Sequence, residues 1–317
     1  MPELPFIQVL VEHLASLLTG RTITHLHLAS PSVLKTFEPP LSEARGRSID
    51  LVRRAGKFIL LDLSGGLSIA FHLMRNGRVR VGPTRVRGQR APRLSKDVAF
   101  IMTLDDDREV RFVEIGPKKR AALYVLPTDG MLEREPLLGL GLDPLGDEFT
   151  PDRLKGMLAL DSGQLKHFLT LQRYITGIGN AFSDEILWEA QLSPFVRASK
   201  LTPEEIAALY QGIRATLTRG LEEHRQGFED HVPTKEPAKL LRVHRHGGEP
   251  CPRCGTKIAQ VATPKGRRTI AHPARPVVRS TPTGACPGCS DERTSLKGTP
   301  AVRKKVRKML AAVRAYA

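Results

Sequence analysis

Residues 175–188 read Ile-Thr-Gly-Ile-Gly-Asn-Ala-Phe-Ser-Asp-Glu-Ile-Leu-Trp, so that a Gly-Ile-Gly-Asn turn separates two helical stretches. Glycine permits close backbone approach, and the free N–H groups at a helix N-terminus bind anions. Phosphate contacts of this kind position proteins on DNA. The turn therefore predicts a helix-turn-helix variant that faces a nucleic-acid backbone.

The chain around this turn changes from strands to helices near residue 150. Thr150 and Thr202 each precede a proline and an acidic residue, a pattern typical of helix N-termini. Upstream, apolar residues recur at i, i+3 and i+4 over residues 7–18, which predicts an N-terminal helix that ends near Gly20. Short apolar runs predict strands at 23–28, 58–63, 67–73, 78–81, 98–104, 109–114 and 121–126, with a hairpin turn at Asp105, Asp106 and Asp107. We expect an α+β fold with a β-sandwich first and helices second.

The composition points to an anionic partner. The 317 residues carry 49 Lys plus Arg against 33 Asp plus Glu, a formal charge of +16. This favours nucleic acid, because Lys and Arg displace the counterions of phosphates, although ribosomal proteins and binders of anionic membranes share the excess. No apolar run reaches the roughly 20 residues of a membrane span, and no signal-peptide pattern is present. We expect a soluble, cytoplasmic, nucleoid-associated monomer of bacterial type that does not bind membranes.

The four cysteines form two Cys-x-x-Cys pairs, Cys251 with Cys254 and Cys286 with Cys289. Each pair can hold a metal from one tight turn, and four thiolates close a tetrahedral zinc shell, so the predicted Zn²⁺ site is structural. The alternative is two disulfides, which are rare in the cytoplasm. The 31 residues between Cys254 and Cys286 are long for a zinc hairpin, so we expect an insertion there.

The chain starts Met1-Pro2-Glu3-Leu4-Pro5, and removal of Met1 would leave a secondary amine on Pro2. A terminal amine has an ordinary pKa of about 7.7–8.0, against about 10.4 for lysine, so more of it is a neutral nucleophile at pH 7. Attack by this amine on an aldehydic carbon gives an iminium that must stay positively charged and favours elimination at the neighbouring carbon. A Met-Pro start is also common in proteins without such chemistry.

Lys57, which lies at the start of an apolar strand, is a fourth motif beside the N-terminal segment, the glycine turn and the cysteine pairs. In this order the motifs resemble those of the formamidopyrimidine-DNA glycosylase and endonuclease VIII family over essentially the whole chain. The resemblance implies an N-terminal helix plus β-sandwich domain, then a helix-two-turn-helix domain with a four-cysteine zinc finger. It also implies DNA glycosylase and AP lyase activity in base-excision repair, on double-stranded DNA that contains damaged bases or abasic sites.

The same resemblance assigns roles to individual residues. Pro2 would attack C1′ of the damaged nucleoside, displace the flipped base and support β- and δ-elimination. Glu3 would protonate the sugar oxygen, and Lys57 would contact the phosphate at the lesion. His72 and Asn180 match the residues that contact the neighbouring phosphates of the kinked strand. The further DNA-binding candidates are Arg75, Lys118, Lys119, Lys166 and Arg279.

The parts that would read the lesion depart from the family pattern. At the wedge position the chain reads His-Leu-Met-Arg-Asn-Gly over residues 72–77, so Met74 or Arg75 would fill the space that the flipped base leaves. The segment that faces the orphan base is rebuilt around Lys118, Lys119 and Arg120 in place of an arginine and a phenylalanine. The preferred base is therefore left open among oxidised pyrimidines, ring-opened bases, abasic sites and bulkier adducts.

Other departures concern single positions. Phe6 and Leu171 stand where acidic residues are common in the family, and residues 221–241 lack the Gly-Gly-Ser/Thr pattern of the loop that covers an oxidised guanine. The candidates for the phosphate contact at the tip of the finger are Arg279 and Arg268, of which we favour Arg279.

The motifs divide the chain into five parts. These are a catalytic β-sandwich domain at 1–130, a linker at 131–149, a helix-two-turn-helix domain at 150–242, a zinc finger at 243–292 and a basic tail at 293–317. The tail is either an amphipathic helix on DNA or disordered. A non-catalytic binder of damaged or structured nucleic acid on the same scaffold is the alternative, and a ribosomal zinc ribbon would leave the N-terminal half unexplained. The set Pro2, Glu3 and Lys57 favours the enzyme, because a pure binder has no chemical need for it.

Overall fold

In the described residues of the first half, the chain forms one α-helix and eight strands. The computed structural model describes residues 1–84, 95–237, 240–263 and 266–270, with residues 262–270 described by their backbone alone. Helix α1 spans Leu4–Leu18. The strands are β1 (Ile23–Leu28), β2 (Ile49–Ala55), β3 (Phe58–Leu63), β4 (Leu67–His72), β5 (Gly77–Pro83), β6 (Val98–Leu104), β7 (Arg108–Glu114) and β8 (Ala122–Pro127).

These strands make two four-stranded antiparallel sheets, with the orders β1-β6-β7-β5 and β2-β3-β4-β8. The two sheets share one apolar core, in which the ring of Phe71 on β4 lies 5.4 Å from that of Phe112 on β7. Residues that alternate inward along each strand fill such a core. The predicted sandwich and the hairpin turn between β6 and β7 are confirmed.

Strand β2 is the one strand of these sheets that the sequence analysis does not predict. It lies at a sheet edge, and its register against β3 shifts between Ile49 and Leu51, which breaks the alternation of apolar and polar residues. Two of its positions are arginines, of which Arg53 pairs with Asp62 at 2.5 Å. A charged edge strand resists pairing with other chains, and it gives a weak apolar signal.

The second half is helical, as predicted. It contains α2 (Pro151–Ala159), α3 (Leu165–Thr170), α4 (Asn180–Glu189) and α5 (Pro203–Gly227). Thr150 caps α2 by accepting a 3.3 Å hydrogen bond from the Arg153 amide, and Thr202 forms a reciprocal capping box with Glu205. The Gly-Ile-Gly-Asn turn connects α3 to α4 and gives the helix-two-turn-helix arrangement.

Helix α1 contributes to the cores of both halves. Leu4 is fully buried in the core of the helical half, whereas Phe6 and Ile7 are buried in the core of the sandwich. Burying a side chain of this size stabilises by about 1.5–3 kcal/mol. The first turn of α1 is thus fixed by the two halves at once.

After α5 the described chain continues to an antiparallel hairpin of β9 (Ala259–Thr263) and β10 (Gly266–Ile270). Cys251 and Cys254 precede this hairpin, while Cys286, Cys289, Arg279 and the predicted tail lie outside the described residues. The zinc finger therefore stays a prediction. No helix in the described part of the chain is both long enough and apolar enough to cross a membrane.

Candidate active site

The Glu3 carboxylate lies at the N-terminus of α4. It accepts hydrogen bonds from the backbone N–H groups of Gly179, Ala181 and Phe182 at 2.7, 2.9 and 3.0 Å. The positive end of the helix dipole and these three donors stabilise a carboxylate. Glu3 is only 3% exposed, so the negative charge is held inside the protein.

The two glycines of the turn make this contact possible. Gly177 accepts a 3.0 Å hydrogen bond from the Leu4 amide and has a φ of +87°, and a Cβ there would lie 2.8 Å from the Leu4 Cβ. A Cβ on Gly179 would lie 2.4 Å from Glu3 Oε1 and 2.9 Å from Lys57 Nζ. Both distances are too short for a side chain. The turn is glycine-rich because the N-terminal segment packs against its backbone.

Lys57 lies in the turn between β2 and β3 and is 5% exposed. The preceding Gly56 has a φ of +58°, and a Cβ on it would lie 2.1 Å from the Thr176 hydroxyl, so this turn also packs against the segment before α4. Burial lowers the pKa of Lys57, and the negative charges of Glu3 and Glu236 oppose that change.

A cavity of about 270 Å³ opens beside these groups. Its lining is formed by Met1, Lys57, Phe58, His72, Leu140, Thr170, Gln172, Gly179 and Asn180. The lining thus comes from both halves of the chain. The predicted residues Lys57, His72 and Asn180 share this one cavity, while Glu3 lies against Gly179 at its edge.

His72 is held as a neutral imidazole. Its Nδ1 accepts a 3.0 Å hydrogen bond from the Met74 amide, and its ring packs edge-on against Phe58 at 4.7 Å. Burial and then the charge of Lys57 lower its pKa to about 4. Because Nδ1 accepts, the proton of the neutral ring resides on Nε2, which can donate a hydrogen bond.

Two predicted DNA-binding residues lie at exposed positions close to the cavity. Asn180 is exposed at the first position of α4 and lines the cavity. Arg75 is exposed in the turn after β4, next to Met74, whose φ is +51°. A bulky residue in the left-handed region is strained, and such strain is frequent at functional turns.

The amino terminus completes the group. Met1 is exposed, Pro2 is buried and the terminal amine has a lowered pKa, chiefly because of burial. Glu236 and Glu3 raise this pKa, whereas Arg75 and Lys57 lower it, so all four charges lie close to the amine. A lowered pKa makes a larger fraction of the amine neutral and nucleophilic.

Comparison with known proteins identifies this arrangement. Residues 1–117 match the formamidopyrimidine-DNA glycosylase N-terminal domain, and residues 140–231 match the formamidopyrimidine-DNA glycosylase H2TH domain. A formamidopyrimidine-DNA glycosylase of Pelotomaculum thermopropionicum is 33% identical over 268 residues, which cover 82% of this chain and 94% of that relative. The chain belongs to the formamidopyrimidine-DNA glycosylase and endonuclease VIII family.

Other members of the family agree. The formamidopyrimidine-DNA glycosylase of Lactobacillus helveticus is 30% identical over 86% of this chain and 98% of that relative. The crystal structure of the MutM (Fpg) protein of Thermus thermophilus has a TM-score of 0.72 and 27% identity, over 85% of this chain and 97% of that chain. A Lactococcus lactis Fpg structure has the same coverage, a TM-score of 0.75 and 22% identity, which shows the shared fold. The comparisons support a DNA glycosylase function in base-excision repair.

Lys166 does not fit the prediction that it contacts DNA. Its side chain is 4% exposed, and its ammonium pairs with Asp184, whose side chain is 2% exposed. Asp184 also accepts a 2.8 Å hydrogen bond from His244 Nδ1. The sequence could not reveal this, because the partner carboxylate lies 18 residues away on α4. Lys166 joins α3 to α4 inside the H2TH domain of this family member.

Two of the family departures have a structural reason. Phe6 is 1% exposed and packs edge-on against His224 and Phe228, with ring centroids 6.2 and 6.0 Å away. An apolar side chain at this position therefore extends the core. Lys118 and Lys119, which are predicted to bind DNA, are both exposed, and Lys119 pairs with Asp97 at 2.9 Å. The side chains of Arg268 and Arg279 are not among those described, so the preference for Arg279 as the phosphate contact of the finger stays a prediction.

One residue near the site was not predicted from the sequence. Glu236 lies in the segment after α5 and is partly buried. Burial and repulsion from Glu3 raise the pKa of its carboxyl to about 7, although the terminal amine, the Glu3 amide and Lys57 lower it. No motif surrounds Glu236, and its partners lie far away along the chain, so only the folded chain shows it.

Proposed function

We propose that this family member is a bifunctional DNA glycosylase and AP lyase, which acts as a monomer on double-stranded DNA. It removes oxidised or otherwise damaged bases through a Schiff base on Pro2 and cleaves the strand by β- and δ-elimination. The observation that carries the proposal is the convergence of the buried N-terminal segment, the Glu3 carboxylate and the Lys57 ammonium at one cavity.

The chemistry starts at the N-terminus. Once Met1 is removed, the amine belongs to Pro2, and the burial that lowers the pKa of the terminal amine in this structure favours a neutral nucleophile. Its attack on C1′ displaces the base and gives an iminium. A secondary amine forms an iminium with no proton to lose from nitrogen, so the positive charge persists through elimination.

The surrounding residues supply proton transfer and phosphate contacts. Glu3 exchanges a proton with the sugar oxygen as the ring opens, while three amides keep its carboxylate in place. Lys57 and Asn180 face the cavity from opposite halves of the chain and bind the phosphates that flank C1′. Neutral His72 donates from Nε2 to one of these phosphates.

DNA as the partner is supported by the relatives. The Lactococcus lactis Fpg structures include complexes with DNA that contains N7-benzyl-Fapy-dG and with DNA that contains an abasic site. The net charge of +16 favours the same kind of partner. The nucleotide must leave the duplex for Pro2 to reach C1′, which costs a few kcal/mol that phosphate contacts and wedge residues such as Met74 or Arg75 offset.

A structural zinc ion belongs to the proposal, with Cys251, Cys254, Cys286 and Cys289 as ligands. The described half of this set fits a thiolate site. Burial raises the pKa of Cys251, but the Trp188 indole, at 3.3 Å, and the amides of Arg253 and Cys254 donate to its sulfur and lower the pKa on balance. Donors that point at a sulfur stabilise the thiolate that binds zinc.

The test uses an untagged protein whose N-terminus has been verified by mass spectrometry. It is incubated with a duplex that contains one abasic site in the presence of borohydride, and a denaturing gel resolves any covalent adduct. We expect an adduct with the processed chain, none when Met1 is retained, and a weaker or altered one with Pro2→Gly. Tight DNA binding with no adduct from the processed chain would overturn the proposal and favour a non-catalytic binder.

A further inference from the structure

Glu236 is a partly buried acid that has no part in the chemistry described above. It lies beside the first residues of the chain, because its carboxyl interacts with the terminal amine, with Glu3 and with Lys57. Its Oε1 atom is buried and has no hydrogen-bond partner among the described residues. A buried carboxyl oxygen without a partner is costly unless the group carries a proton or meets a ligand.

The two acids near the amine differ in their surroundings. Three backbone amides at the N-terminus of α4 donate hydrogen bonds to the Glu3 carboxylate. Glu236 receives a hydrogen bond from the Glu3 backbone amide, and the negative charge of Glu3 opposes its ionisation. Two carboxyls with such different hydrogen-bond partners can take different roles in acid–base catalysis.

We propose that Glu236 is the proton carrier for the N-terminal amine: it accepts a proton from the Pro2 ammonium and returns it to the oxygen that leaves C1′. This inference rests on the proposed function. The segment after α5 thereby contributes a catalytic residue. Glu3 exchanges its proton with the sugar ring oxygen only.

The step balances for an abasic site in its aldehyde form. The Pro2 ammonium gives one proton to the Glu236 carboxylate, and the neutral nitrogen forms a bond to C1′ while the carbonyl electrons move to oxygen. The second nitrogen proton passes to that oxygen and makes a hydroxyl. Glu236 then protonates the hydroxyl, which leaves as water, and the nitrogen lone pair forms the iminium. Ammonium and aldehyde become iminium and water, and Glu236 is a carboxylate again.

The charges around Glu236 suit this exchange at neutral pH. Burial and Glu3 raise the pKa of Glu236 to about 7, and the terminal amine and Lys57 lower it. Arg78 on β5 also interacts with the Glu236 carboxyl: burial lowers the pKa of Arg78, and the charge of Glu236 opposes this change. A proton carrier works best when its pKa lies near the working pH.

The experiment measures the single-turnover rate of adduct formation with abasic duplex and cyanoborohydride between about pH 6 and 9, which brackets the ordinary pKa of a terminal amine. Processed wild type is compared with Glu236→Gln and with Glu236→Asp, and Glu229→Gln is the matched control. Glu229 is an exposed carboxyl in the same segment. Thermal unfolding and DNA affinity are measured for each variant.

We expect the wild-type rate to rise to about pH 7 and then to level off. Glu236→Gln should lose about 100-fold at pH 7, a typical contribution of a positioned acid or base, and should regain rate as the pH rises and water deprotonates the amine. Glu236→Asp should have a rate between those of Glu236→Gln and wild type, and its rate should also level off above about pH 7. Glu229→Gln should match wild type.

Two outcomes would overturn the inference while wild type still forms adduct. One is an unchanged rate in Glu236→Gln. The other is a loss that is equal at every pH and parallels weaker DNA binding or a lower Tm, because that result assigns Glu236 a structural role. Absence of adduct from processed wild type would instead refute the proposed function itself.

Discussion

The backbone N–H of Gly179 donates a 2.7 Å hydrogen bond to the Glu3 carboxylate, and these two residues are 176 positions apart in the chain. The acid at the N-terminus is thus oriented by the first turn of a helix in the other half of the protein. The position of this acid depends on the docking of the sandwich against the H2TH domain, and on the absence of a side chain at residue 179.

Gly179→Ala should abolish most of the activity and leave the fold in place. The added Cβ would lie 2.4 Å from Glu3 Oε1, so the carboxylate must move. A displacement of about 1 Å in an active site can cost about 100-fold in rate. The adduct rate with abasic duplex is the measurement, and Gly156→Ala on α2 is the control, because a Cβ there meets nothing within 4 Å. Equal rates for the two variants would contradict this account.

His72 should make the protein less stable as the pH falls. Its pKa in the fold is about 4, against 6.5 in the unfolded chain, so the unfolded state binds more protons between these values. The stabilising contribution is full above pH 6.5 and is lost as the pH falls to 4, by up to about 3 kcal/mol. Urea unfolding of wild type and His72→Gln over this range should show that the difference between them shrinks at low pH.

The pH dependence of Glu236 has the opposite sign, so only differences between variants isolate either residue. The pKa of Glu236 is raised to about 7 in the fold, against 4.5 in the unfolded chain, and its contribution is lost as the pH rises through this window. The free energy of unfolding of Glu236→Gln, relative to wild type, should therefore improve from pH 4.5 to 7. A constant difference would show that the carboxyl does not change protonation on unfolding.

Lys166→Met should destabilise the protein by about 3–5 kcal/mol, because it leaves the buried carboxylate of Asp184 without its ammonium partner. The double variant Lys166→Met/Asp184→Asn should recover part of this loss. Chemical denaturation measures both. The slope of DNA affinity against salt should stay unchanged in the double variant, and a decrease would restore the prediction that Lys166 contacts phosphate.

Lys118 and Lys119 offer a matched comparison of DNA contacts. Lys118→Ala should reduce the slope of log affinity against log salt by about 0.9 if it neutralises one phosphate. Lys119→Ala should reduce it less, because this ammonium already pairs with Asp97. Affinities for abasic duplex at several salt concentrations would show this. A larger effect for Lys119 would mean that the ion pair opens on DNA.

Zinc removal should be visible in the fluorescence of the protein. Trp188 is its one tryptophan, and the indole lies 3.3 Å from the Cys251 sulfur and beneath the Arg253 guanidinium at 4.2 Å. We expect purified protein to hold a stoichiometric amount of zinc, and a chelator to shift the emission as zinc is released. Cys251→Ser should bind less zinc and resist that shift. An emission spectrum that does not change when zinc is lost would show that the zinc site does not affect the surroundings of Trp188.

Sequence patterns predicted those features that depend on neighbours in the chain. The periodicity of α1, the caps at Thr150 and Thr202 and most strands are local signals, and the structure bears them out. The edge strand β2 was not predicted, because its register shift and its arginines hide the alternation of apolar and polar residues. At the site, the N-terminal motif and the strand-borne lysine pointed to Glu3 and Lys57, which the fold brings to the same cavity and its edge.

The remainder depends on contacts between distant segments. Lys166 looks like other basic residues in the sequence, and only the packing of α3 on α4 buries it beside Asp184. Glu236 is one acid among 33 acidic residues, and its special environment arises where the segment after α5 meets the first residues. Desolvation and long-range pairing leave no local pattern, so the sequence alone could not assign these two residues.

The burial of Pro2 next to Glu3 also has a consequence for the order of events during synthesis. The amides that hold Glu3 are 176 to 179 residues downstream, so the N-terminal segment cannot dock until that part has been made. At about 5–20 residues per second, the ribosome needs roughly 10–35 s to reach it. Met1 is still exposed in the folded chain but Pro2 is buried, so the Met1–Pro2 bond is more accessible to an aminopeptidase before the segment docks than after. Under the proposed Pro2 chemistry, overproduction that outpaces the aminopeptidase should yield a folded fraction that retains Met1 and forms no adduct, and intact-mass spectrometry would count it.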